Sequence, residues 1–545
     1  MKTAEQRLIA QRDRYVAAVT GNWRGYEREL LIALVRALDF AAYIHCIAKV
    51  AQDGEPGMRM RGAATALRPL LQAVADMPGA IPWAPSPLPY EPAFDNHLAT
   101  CGRFAASIRL AAMERYGLAE TKVVGDRILI EVAPDVGERI EVEAGHAANA
   151  RAREALLKRH PHLAVRNPEI RRRLERYGKV VDGWFIGYDN DQVLVDHYRA
   201  HARIEAAGTV EAEALPLTAP IGGRLFGDWS EASTVAYGAV LHHIDAAGCL
   251  CERMPKLNPR DLLTIFARRE DIVDVLMERG DDHAGAQQLM EGLTLDAEGA
   301  AWSEGRHEIP LPYYIDAGKH FVLLPTFGGL MNSHAGLLDH LRRKYRADWD
   351  KIVDGREDVF REDLRRLLPE PRYKVLEKGL KLRRKDKSIL TDADAVVLDH
   401  HTGVVIFVQM KWYDVHGFSL AERDSRRENL LTKGNEWVDK VHGWIDGRTC
   451  AQIAQIYNWG VAADVSPEIL VMARHSTRFA GETRYDPRAN WTTWHALTEE
   501  MHDPACEGFV AGIVRSQNRK PKRQDFSGTT TFELPGMVVE VRTRD

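Results

Sequence analysis

The stretch Thr391–Trp412, TDADAVVLDHHTGVVIFVQMKW, constrains the fold of this chain more than any other. It contains two apolar, β-branched runs separated by Asp399-His400-His401-Thr402-Gly403, which reads as strand, turn, strand. Side chains two apart on a strand share a face. Asp392 and Asp394 are therefore expected on one face of the first strand, and Gln409 and Lys411 on one face of the second, with Val408 and Met410 turned into apolar packing. If the turn near Gly403 pairs these strands antiparallel, Asp394 lies close to opposite Gln409. A carboxylate, an amide carbonyl and an ammonium would then meet at a strand end. Oxygen ligands of that kind suit Mg²⁺ or Mn²⁺ rather than zinc.

The flanking residues extend the pattern. GREDVFREDLRRLLP reads as an amphipathic helix stopped by Pro369, and Arg372–Leu382 as a strand leading into the basic turn Arg383-Arg384-Lys385-Asp386-Lys387. Asp392–Leu398 and Val404–Lys411 follow as strands, residues 424–446 as a helix, and Ile469–Ala473 as a buried strand. The order is αβββαβ. At about 100° per residue, Phe360, Leu364, Leu367 and Leu368 define the core stripe of the first helix. Glu357 falls inside that stripe and Glu362 nearly opposite it. A glutamate facing the core is costly without a partner such as a metal, which selects Glu357 as a further ligand.

Asp394, fifteen positions before Gln409-Met410-Lys411 and within this element order, resembles the PD-(D/E)xK nuclease superfamily. The glutamine in place of the usual acid is most similar to the Mrr-like restriction endonuclease branch, with its Q-x-K variant. The resemblance covers about residues 350–480. It departs from the pattern in having Thr391-Asp392-Ala393 where a proline would directly precede the aspartate. It implies metal-dependent phosphodiester hydrolysis, with DNA the expected substrate and restriction or anti-phage defence the expected setting. Asp394 and Gln409 would hold Mg²⁺ (or Mn²⁺) with Glu357, Lys411 would orient the attacking water, and Asp392 would support. Arg383, Arg384, Lys385 and Lys387, with Arg426, Arg427, Lys433 and Lys440 on the next helix, are candidate phosphate contacts; each is also readable as a solvated charge. A nuclease fold retained only for nucleic-acid binding or assembly is the alternative.

Around this segment the chain reads as α/β (α+β mixed), a largely helical N-terminal region with some β hairpins preceding the nuclease-like core. With 545 residues, several domains are expected, divided as 1–120 (helical), 121–340 (mixed) and 341–545 (nuclease-like). Residues 3–77 carry helical periodicity, Pro78–Pro92 breaks it, and a helix is expected over 95–116. Val123–Val132 and Arg139–Glu143 read as strands joined by a turn, 145–176 as basic helix, and Trp184–Tyr188 with Gln192–Tyr198 as a hairpin around Asp189-Asn190-Asp191. Residues 229–295 read as helical, His320–Leu324 as a strand and 334–346 as a helix. Gln517–Arg523 is a basic loop, and Thr529–Leu534 with Met537–Arg542 a closing strand pair.

A net charge of −5 argues against a polybasic nucleic-acid coat while leaving room for a local cationic groove. Six scattered cysteines without a CxxC pair point to a reducing compartment. The charged N-terminus lacks a signal-peptide core, and no apolar run approaches ~18 residues; a cytoplasmic protein is expected, with no membrane partner. Self-association or a partner protein would engage the N-terminal region.

Overall fold

The computed structural model describes residues 3–48, 54–164, 167–209, 214–278, 280–332, 334–353, 356–413, 419–519 and 528–543. It is a mixed α/β architecture, mostly helical, with several small sheets. Helices Ala4–Asn22, Glu27–Tyr43, Glu55–Arg61, Ala63–Val74 and Glu91–Ala112 form the N-terminal part. The span Glu27–Ala48 is long and apolar enough to cross a bilayer by length and hydropathy. Here Leu30, Leu31, Leu34, Val35 and Leu38 are instead buried against Leu67, Leu70, Leu71 and Phe94 of neighbouring helices. The proline-rich segment after it is extended and docked: Trp83 packs on Trp184, Phe185 and Phe266 and donates to Asp182 (2.9 Å).

Several expectations for the middle of the chain are overturned. Arg139–Glu143 is not a strand but part of helix α1 (Val136–Arg159). The alternation of Ile140 and Val142 imitates a strand, yet Ile140 and Ala144 are buried together one turn apart while Val142 is exposed. The strand pair lies earlier, as Ala119–Val124 and Arg127–Val132 around Gly125, whose φ of 58° suits the turn. Gln192–Tyr198 is also helical, because the Asp191 side chain accepts from the Leu194 N–H (3.0 Å) and caps Gln192–Ala207. Its hairpin sits upstream, Gly178–Val181 with Phe185–Tyr188. Residues 229–295 include a strand, Ile265–Arg268, paired with Phe321–Leu324.

The C-terminal part follows helix α2 (Arg356–Leu367). Its sheet contains β1 (Tyr373–Val375), β4 (Ala395–Asp399), β5 (Val404–Lys411), β6 (Glu468–Ala473) and β7 (Asn490–Thr493) in that spatial order. Between β1 and β4 a separate hairpin is inserted, β2 (Leu380–Arg383) with β3 (Ile389–Ala393). The expected single strand Arg372–Leu382 is thus two strands in two sheets. β1, β4 and β5 pair antiparallel, whereas β5, β6 and β7 run parallel. The parallel step needs a crossover, and α3 (Leu420–Ile445) supplies it with Cys450–Tyr457. Val405 and Phe407 face Leu430, Val438 and Val441 of α3. Ile406, Val408 and Met410 face Phe360 and Leu364 of α2, with Leu497 and Phe509 beyond.

The last hairpin, Thr529–Leu534 with Met537–Thr543, does not join this sheet. Its second strand pairs parallel with Arg127–Val132 of the middle segment.

Candidate active site

The register Ala395↔Val408 sets Asp394 opposite Gln409. Asp394 itself occupies a bend between β3 and β4. Ala393 and Val396, three apart, face the same apolar cluster, which an unbroken strand of period two forbids. The expected continuous strand Asp392–Leu398 is therefore kinked. The expectation that Asp392 and Asp394 share a face fails with it: Asp392 is exposed and Asp394 half-buried.

Two donors converge on one oxygen of Asp394. The Gln409 side-chain amide donates to Oδ2, and so does the Met410 backbone N–H at 2.7 Å. No described residue hydrogen-bonds Oδ1. Lys411 Nζ lies 3.5 Å from Glu357 Oε1. Burial pushes the Asp394 carboxyl up from 3.8 to about 6; the Lys411 ammonium and the Met410 N–H pull it down, while the carboxylates of Glu357 and Asp392 push it further up. Asp394 thus shares its surroundings with two further carboxylates and the Lys411 ammonium.

The structure brings Glu357, Asp394, Gln409 and Lys411 into one neighbourhood. The reason given for choosing Glu357 does not hold, however. Its side chain is 47% exposed, because it stands in the first turn of α2 before the helix runs beneath the sheet. Glu362 is turned away and pairs within its own helix with Arg365 (3.3 Å) and Arg366 (3.7 Å).

Three supporting residues escaped the sequence reading. Arg361 Nε donates to the Asp394 carbonyl at 2.5 Å and so holds the bend from α2. It lies four residues after Glu357 on the same helix face, the spacing that would have revealed it. Trp437 Nε1 donates to the Asp392 carbonyl (2.5 Å). Arg474 donates its backbone N–H to the Lys411 carbonyl (2.8 Å), while its guanidinium pairs with Asp363 and lies 4.7 Å from the Trp412 ring centroid.

The expected phosphate contacts are placed unevenly. Arg383, Arg384, Lys385 and Lys387 lie exposed at the tip of the β2–β3 hairpin, where Arg383 and Arg384 also close the turn on the carbonyls of Lys387 and Ile389. Lys433 and Lys440 are exposed on α3. Arg427 is taken up by Asp424 (2.7 Å) and Glu428 (2.8 Å), and Arg426 lies over Tyr413 at 5.8 Å. In the basic loop 517–523, residues 520–523 lie outside the described residues, and Arg519 pairs with Glu500 (3.5 Å).

No group of three or more His, Cys, Asp or Glu side chains arranged to hold a metal occurs among the described residues. The donors near Asp394 do fit a hard cation that takes few protein ligands and keeps several waters, as Mg²⁺ does. Asp394 Oδ1 and the half-exposed Glu357 carboxylate are the oxygen donors there. No family model, no curated protein and no solved structure matches this chain.

Proposed function

We propose that the chain is a metal-dependent nuclease hydrolysing phosphodiester bonds, DNA its expected substrate. The observation that carries this reading is the cluster of Glu357, Asp394, Gln409 and Lys411 at one end of the five-stranded sheet. The sheet order, preceded by α2 and crossed over by α3, is in keeping with a restriction-endonuclease-like αβββαβ core carrying an inserted hairpin, and supports reading the Q-x-K pattern as that of the PD-(D/E)xK superfamily and its Mrr-like branch. A role in restriction or anti-phage defence is the corresponding biological proposal. A cytoplasmic setting is in keeping with six free cysteines.

Asp394 and Glu357 would hold Mg²⁺ (or Mn²⁺), with Gln409 as the third donor once its amide presents oxygen in place of nitrogen. When bound, the cation supplies Lewis-acid polarisation of the phosphoryl group and a water of lowered pKa. Lys411, paired with Glu357, orients the water and offsets charge developing on phosphorus. Met410 N–H holds Asp394 Oδ2 and leaves Oδ1 for the metal. Arg361 fixes the bend that presents the carboxylate.

One observation favours a second reading, a nucleic-acid-binding or assembly module without catalysis. Gln409 donates to Asp394, so the two form a closed pair where a second acid would repel. Incubating the full chain with plasmid and with single-stranded DNA or RNA, in Mg²⁺ or EDTA, separates the readings. Metal-dependent cleavage that falls by about 10²–10³ in Lys411→Ala and is lost in Asp394→Asn supports the nuclease. Binding without cleavage, unchanged in both variants, supports the module.

A further inference from the structure

Several histidines of the middle segment meet where α1 ends. His197 and His201 stand four apart on the helix Gln192–Ala207, a spacing that sets both imidazoles on one helix face. Their ring centroids lie 6.3 Å apart. α1 runs antiparallel to this helix: Arg153 reaches Glu205 (2.6 Å), and a Cβ on Gly208 would meet Arg153 Cβ at 3.2 Å and the Asn149 carbonyl oxygen at 3.6 Å. Residues just beyond the end of α1 therefore lie beside the first turns of its partner. Those residues include His160 and His162, with ring centroids 6.0 Å apart, and the turn Pro161–Ala164 packs on the helix Gln192–Ala207. Burial lowers the pKa of His197, and His201 and His162 add to the effect while Asp245 opposes it, which places the three imidazoles within electrostatic reach of one another. His162 is exposed and the other two are partly so.

The neighbouring carboxylates give a second, independent observation. Glu205 Oε1 lies 3.4 Å from His201 Nε2 and is itself held by Arg153. A histidine that binds metal usually gives its other ring N–H to a carboxylate, which fixes the tautomer and raises the basicity of the ligating nitrogen. Glu205 stands in that position and leaves Nδ1 of His201 to a cation. Asp245 accepts from the Tyr198 hydroxyl (2.8 Å). The donors that remain are imidazoles.

We propose that His162, His197 and His201 bind a divalent transition-metal cation of the zinc class, with water in the fourth position. Paired histidines at i and i+4 on one helix face are a zinc-binding arrangement, and a third imidazole from a neighbouring turn completes a three-histidine set. Imidazole nitrogen suits Zn²⁺, whereas Mg²⁺ takes oxygen. The rings do not already surround one point; side-chain rotations of these accessible residues bring the nitrogens to the roughly 2.0–2.1 Å of a zinc–imidazole bond. The bound ion ties the turn after α1 to the helix Gln192–Ala207. The site does not rest on reading Asp394–Lys411 as a nuclease centre.

Calorimetric titration of the full chain, free of any histidine tag, with Zn²⁺ in excess Mg²⁺ tests the proposal, and the same titration in Asp394→Asn sets aside the candidate active site. One Zn²⁺ per chain should bind with micromolar affinity in both. His162→Ala, His197→Ala and His201→Ala should each weaken binding at least tenfold, whereas His283→Ala, at an exposed histidine elsewhere, should leave it unchanged. Should His197→Ala fail to fold, NMR of the histidine-labelled wild type replaces it, and Zn²⁺ should shift the ring signals of His162, His197 and His201. The proposal is overturned by the absence of saturable Zn²⁺ binding below millimolar concentration, by wild-type affinity in any of the three alanine variants, by an equal loss in His283→Ala, or by Zn²⁺ shifts confined to other histidines.

Discussion

Asp394 meets burial and two further carboxylates, and its titration has consequences of definite sign. Its carboxyl is raised from 3.8 to about 6 in the folded chain, so the fold holds a proton there that the unfolded chain has released. The stability contributed by the neutral acid is complete below about pH 4 and is lost as pH rises through about 6. On the proposed nuclease reading a metal would compete with that proton, so Mg²⁺ affinity and cleavage should rise through pH 6 and level off above it. Asp39, Glu141 and Asp339 are raised to about 7 by burial, so the informative measurement is the difference in Tm between wild type and Asp394→Asn across pH 4–8 without metal. A difference that shows no step near pH 6 counts against the assigned environment. The two glutamates of α2 separate in the same way. Glu357→Gln should lower cleavage at least tenfold, whereas Glu362→Gln, which disturbs only pairs within the helix, should leave turnover unchanged; steady-state kinetics of both variants decides.

At the scale of elements, the β2–β3 hairpin is the part that, on the proposed reading, would meet a nucleic acid beside the site. It is anchored on α3 by two indole donors, Trp437 to the Asp392 carbonyl and Trp444 to the Arg383 carbonyl (3.1 Å). Its tip gathers Arg383, Arg384, Lys385 and Lys387. Replacing all four with serine should weaken DNA binding to a similar extent for every sequence. The slope of log affinity against log salt should fall by up to about 0.9 for each phosphate contact removed. An unchanged slope in a salt titration would assign those charges to solvation. The β5 strand was legible because its turn and its apolar run agree. Gly403, at φ 71°, is required there, since a Cβ would lie 2.4 Å from the Ala463 nitrogen. α1 was not legible over 139–143, where period two and period 3.6 fit the same few residues and only burial distinguishes them.

Across the whole molecule, the C-terminal part is fastened to what precedes it by buried and ionic contacts: Glu138 with Arg423, Glu141 with Thr477 and Arg478, and Arg306 with Glu422. The final hairpin completes a sheet begun some four hundred residues earlier and covers Leu8, Phe104 and Ile108 with Leu534 and Val539. Removing residues 528–545 should therefore destabilise the N-terminal half by on the order of 4 kcal/mol, from lost apolar burial and strand pairing. The loss should be read as a lower Tm and as faster amide exchange in Arg127–Val132. Unchanged exchange there would show the hairpin to be dispensable.

The sequence alone determined the turn at Gly403 and the strand that follows it, the apolar faces of α2 and α3, and the approach of Asp394 to Gln409 and Lys411. These depend on periodicity and turn chemistry acting over a few residues. Tertiary structure alone decided the bend at Asp394, the place of Glu357 beside Lys411, the support from Arg361 and Arg474, and the return of the last hairpin to the middle segment. Each of these depends on which surfaces meet across long separations in the chain, and local pattern carries no record of that.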